Sequence, residues 1–118
     1  MIEKLAQSSE DVLGFKASGD VTKADYQTMV PAVEAALKEH DSVRVLLDMT
    51  EFKWEKAEAW GADMKFGHDF HKKIGKMAIV GDKTWEKWLT EVAAPFYAVE
   101  AKFFQSDDID SAWAWLRS

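Results

Sequence analysis

The chain contains no cysteine, and only two prolines and six glycines among its 118 residues. Without thiols there is no disulfide scaffold, no thiol nucleophile and no thiolate-held zinc or iron–sulfur cluster. So little proline and glycine excludes collagen-like and low-complexity chains. No apolar run approaches the roughly 20 residues that cross a bilayer. The first ten residues carry charge from Glu3 onward and have no apolar central region, so no signal peptide is expected. A cytoplasmic location follows as the expectation, with peripheral contact at the inner face of the membrane left open. Serine is missing between Ser42 and Ser106. That removes the strand-to-helix nucleophile elbow of G-x-S-x-G type. Basic residues are outnumbered by acidic ones, giving a net charge of −6 and a pI near 5.0. A protein that coats nucleic acid through its overall charge is thereby excluded.

What is present suits one ordinary domain. A chain of this length buries roughly two thirds of its unfolded surface, and its 47% hydrophobic content supplies the core. Residues 1–6 and 11–17 read as two strands joined by the polar turn Gln7-Ser8-Ser9-Glu10, with Gly19-Asp20 ending the second. Thr22 and Asp25 resemble a capping box. Tyr26, Met29, Val30, Val33, Ala36 and Leu37 follow helical spacing. Pro31 falls inside that helix and is expected to kink or split it. Residues 43–49 form a short apolar run of the kind found in a central parallel strand. Residues 55–73 read as a second helix, 76–80 as a strand, and 84–94 as a third helix ended before Pro95. Residues 97–104 read as a strand and 107–117 as a final helix. Its acidic first turn suits the positive helix end. The order β-β-α-β-α-β-α-β-α predicts an α/β domain. It has a mostly parallel sheet of about five strands, an antiparallel N-terminal edge hairpin and about four helices.

The second predicted helix stands apart. At about 100° per residue, Ala57, Trp60, Gly61, Met64, His68 and His71 share one face, while Ala59, Ala62, Phe66 and Phe70 share the opposite one. A surface helix of a layered domain needs one apolar stripe; this one has two. The spare stripe packs on a neighbouring helix or a second copy of the chain, or it lines an apolar pocket or meets lipid. Between Lys53 and Trp88 lysines also outnumber acids, eight to six, and Trp54, Trp60, Trp85 and Trp88 fall there. Lysine beside tryptophan and phenylalanine is the composition of an interfacial membrane surface. It is equally that of a solvated face over an aromatic core.

His68 and His71, three apart on one helix face, could share a metal. They lack a third ligand nearby, so no metal and no cofactor is expected; His71 reads instead as a polar anchor. Asp48 ends the run read as a central strand, where open α/β sheets place their sites. One carboxylate there is no mechanism, and capping of the following turn is the preferred reading.

Several residue patterns together resemble the bacterial SpoIIAA-like family. They are Asp25-Tyr26 with Pro31; Trp54, Ala57 and Trp60; and Lys65-Phe66-Gly67. Met77-Ala78-Ile79-Val80-Gly81-Asp82 follows, with Trp85 and Trp88. Ala94-Pro95-Phe96, Phe103-Phe104, and Ala112 with Trp115-Leu116 complete the set. The resemblance spans nearly the whole chain. It implies a fold like the STAS domain of anti-sigma-factor antagonists, similar also to the CRAL-TRIO fold of lipid-binding proteins. Antagonists of that type carry a phosphorylatable serine where the helix after the central strand begins. The matching stretch here, Glu55-Lys56-Ala57-Glu58, has no hydroxyl.

The leading expectation is a non-enzymatic binding domain for a small apolar or amphipathic ligand, such as a lipid. Trp54, Trp60, Met64, Phe66, Phe70, Trp85 and Trp88 would supply apolar surface. Lys65, Lys72 and Lys73 would attract anionic headgroups, and His71 would make a polar contact. An anionic membrane surface and a homodimer are further candidate partners. The alternative is a protein-interaction module of STAS type without the phosphoswitch. An enzyme using Asp48 with His68 or His71 is the weakest reading, and no catalytic residue is assigned.

Overall fold

The computed structural model describes residues 1–21, 23–55, 73–81 and 100–118. Five strands form one sheet in the order of the chain: β1 (Ile2–Lys4), β2 (Val12–Val21), β3 (Val43–Glu55), β4 (Ile74–Gly81) and β5 (Glu100–Gln105). The β1–β2 pair is antiparallel; β2–β3, β3–β4 and β4–β5 are parallel. This is the mixed sheet with an antiparallel edge hairpin that the alternation of strands and helices predicts. Helix α1 (Lys23–Leu37) links β2 to β3, and helix α2 (Ile109–Arg117) follows β5 through a 3-10 turn, Ser106–Asp108. The helices predicted over 55–73 and 84–94 fall almost wholly outside the described residues. Two helices lie within them.

The two faces of the sheet carry separate cores because side chains alternate along each strand. One face joins Leu13, Phe15, Ala17, Val43, Val45, Met77 and Ile79 to Met29 and Val33 of α1. The other joins Val12, Leu46, Ala78, Val80 and Phe104 to Ala112, Trp113 and Leu116 of α2. Burial on both faces explains why β3 and β4 read as near-continuous apolar runs. An irregularity beside Gly75 resets the alternation of β4. Val43 pairs with Ile74 and Arg44 with Lys76, so Ile74, Met77 and Ile79 all reach the α1 face.

Several boundaries differ from the sequence reading. Strand β2 does not stop at Gly19-Asp20 but runs through to Val21, with Gly19 at φ 59 absorbing a local irregularity. Strand β3 continues past Met49 to Glu55, so Glu55 is a strand residue and does not begin a helix. Alternating Phe52 and Trp54 are good strand formers, and pairing with β2 carries the strand on. Helix α1 is not split at Pro31. Pro31 is exposed, as is Gln27, whose carbonyl is the one that loses its helical N–H donor to the proline ring. The final helix begins at Ile109 and not at Asp107.

Candidate functional site

The sheet's polar positions gather at two places. The first lies midway along β2 and β3. Lys16 pairs with Asp48, but two residues later Ser18 pairs with Glu51. The extra residue in β3 makes a bulge, which turns side chains to the other face of a strand. Here it brings Glu51 to the Lys16 face, and Lys16 Nζ lies 2.7 Å from Glu51 Oε2. Thr50 donates its backbone N–H to Asp48 Oδ1 at 3.0 Å. Asp48, only 9% exposed, thus pins the bulge from within; because β3 runs on to Glu55, it neither ends the strand nor caps a following turn as its sequence position suggests. The hydrogen bond and charge of Glu51 raise the pKa of Lys16 above the usual lysine value; Asp48 and Glu3 add smaller contributions in the same direction, and desolvation opposes them. Lys16 and Glu51 were not singled out from the sequence. The alternation Leu13, Phe15, Ala17 already places Lys16 on the opposite face, but no pattern announces the bulge that supplies its partner.

The second polar group lies under the carboxyl end of α2. Arg44 donates to the Leu116 carbonyl. Lys76 donates to Trp115 O at 3.2 Å and to Ser118 Oγ at 3.0 Å, and its ammonium sits 5.2 Å from the Trp115 ring centroid. Two sheet cations therefore meet carbonyls at the negative end of the helix, and Trp115 O also accepts the Ser118 N–H at 3.3 Å. Arg117 reaches from the same turn to Gln7 O at 2.7 Å, tying α2 to the first turn of the chain.

The expected ligand-contact residues fare differently. Trp60, Met64, Lys65, Phe66, Phe70, His71, Lys72, Trp85 and Trp88 lie outside the described residues, as does His68. Trp54 is placed by its backbone in β3, opposite Asp20. Lys73 is exposed in the turn before β4, where its carbonyl accepts the N–H of Val43 at 2.9 Å. Val43 begins β3 and Trp54 nearly ends it. At about 3.3 Å per residue, the two candidates are separated by on the order of 30 Å along the strand. Among the described residues no group of three or more His, Asp or Glu could hold a metal, and no helix is long and apolar enough to cross a membrane.

The SpoIIAA-like family model matches residues 12–117, which takes in four of the five strands and both described helices. The chain belongs to the SpoIIAA-like family. A solved structure supports the assignment: an uncharacterised protein of the DUF3478 family with a SpoIIAA-like fold, from Shewanella loihica PV-4. It is 34% identical, superposes with a TM-score of 0.80, and the match covers 98% of this chain and 93% of that one. No curated protein matches. The CRAL-TRIO likeness read from the sequence gains no support from either match. For a SpoIIAA-like domain, the Lys16–Asp48–Glu51 group and the clasp around the end of α2 are explained by the strand irregularity and by the helix carbonyls they satisfy.

Proposed function

We propose that this SpoIIAA-like domain is a regulatory or interaction module that binds a partner protein without a phosphorylation switch, and that it is not an enzyme. Family membership supports a module of this kind. One observation carries the finer reading: between Thr50 and Thr84 there is no serine, threonine or tyrosine. The whole connection from β3 to β4 therefore offers no hydroxyl to phosphorylate. A phosphate on a hydroxyl there would add roughly −1.5 to −2 charge at its site, and that connection has no serine, threonine or tyrosine to carry one. Partner choice in this reading does not depend on a phosphorylated hydroxyl in that connection. The test is affinity capture from the native host, followed by calorimetry of the purified pair. A defined stoichiometry with one protein is the expected result; capture of nothing that binds in purified form overturns the reading.

A second reading has its own support in the sequence between Lys53 and Trp88, where two apolar stripes, four tryptophans and surplus lysine occur together. There the domain would hold a small apolar or amphipathic ligand, with Trp60, Met64, Phe66, Phe70, Trp85 and Trp88 as apolar surface and Lys65, Lys72 and His71 as polar contacts. Phe66→Ser with Phe70→Ser is the discriminating variant. Loss of ligand binding with the fold intact favours this reading, whereas loss of folding marks both residues as core.

A further inference from the structure

We draw no further inference here: the strongest candidate, the Arg44–Lys76 pair of cations beneath the carboxyl end of α2, is already engaged by oxygens of Trp115, Leu116 and Ser118 in that helix's last turn, and nothing in the structure points to a ligand that would replace them.

Discussion

Gly14 stands where the indole of Trp113 crosses β2. A Cβ built on Gly14 would lie 2.7 Å from Trp113 Cζ2 and closer still to Cη2, inside any real carbon–carbon contact. Gly14→Ala must therefore push out a ring that is 6% exposed and packed among Val12, Leu46 and Phe104. Overpacking of this kind costs about 1–3 kcal/mol, so urea unfolding should show a clear fall in midpoint with an unchanged slope. Gly75 is the internal control. A Cβ there would meet only Ser42 Oγ at 3.8 Å and Val43 O at 4.0 Å, and Gly75→Ala should stay within about 0.5 kcal/mol of the parent.

Asp48 makes a second prediction at the same scale. Replacing it by Ala strips the acceptor from the Thr50 N–H and should cost roughly 1–3 kcal/mol; Asp48→Asn keeps a side-chain oxygen and should cost less. Equal losses in the two variants would show that the negative charge, not the acceptor, is what the bulge requires. Lys16 contributes differently. Its pKa is raised in the folded state, so the ion pair's contribution is complete below the ordinary lysine pKa. It is lost only as pH rises through the higher folded value. The stability difference between the parent and Lys16→Met should therefore be flat from about pH 7 to about pH 9 and shrink only in more alkaline solution. A difference that faded between those two values would contradict the raised lysine.

At the level of elements, α2 buries Ala112, Trp113 and Leu116, and its final carbonyls are met by cations from β3 and β4. The apolar stripe fixes which face lies down, and the cations hold the last turn. The double variant Arg44→Gln with Lys76→Gln should leave the body of α2 in place while its last turn opens. Hydrogen exchange of the amides from Trp115 to Ser118 should speed up by about tenfold, equivalent to about 1.4 kcal/mol, with β3 and β4 unchanged. Faster exchange throughout the sheet would mean instead that the two cations support the core.

Much of this element-level structure was legible from pattern. The stripe Met29, Val33 on α1 and the stripe Ala112, Trp113, Leu116 on α2 follow 3.6-residue spacing and are buried as that spacing requires. The apolar run of β3 announced a strand covered on both faces, and that of β4 announced a strand. The far half of β3 was illegible. Glu55 reads as the start of a helix, and only the register with β2 carries the strand to it. Pro31 misled for a related reason: its effect depends on which side of α1 faces solvent, which the local sequence does not state. The polar groups were the least legible. Lys16 meets Glu51 through a bulge, and Arg44 meets Leu116 across 72 positions of chain; neither relation has a local signature.

On the scale of the whole molecule, the two readings of function make opposite demands on electrostatics. The chain carries −6 overall, so an anionic surface repels it except where the lysines between Lys53 and Trp88 come first. Each lysine brought near an anionic membrane contributes about 1 kcal/mol, and that attraction fades within a Debye length of about 8 Å at physiological salt. Vesicle titration followed by tryptophan emission puts this balance to a direct test, because four of the six tryptophans share the lysine-rich segment. A module that recognises protein should show the same emission with anionic and neutral vesicles at low and moderate salt alike. A blue shift confined to anionic vesicles and removed by salt would overturn that expectation, placing the tryptophans at the lipid interface and making the surplus apolar stripe a membrane or ligand surface.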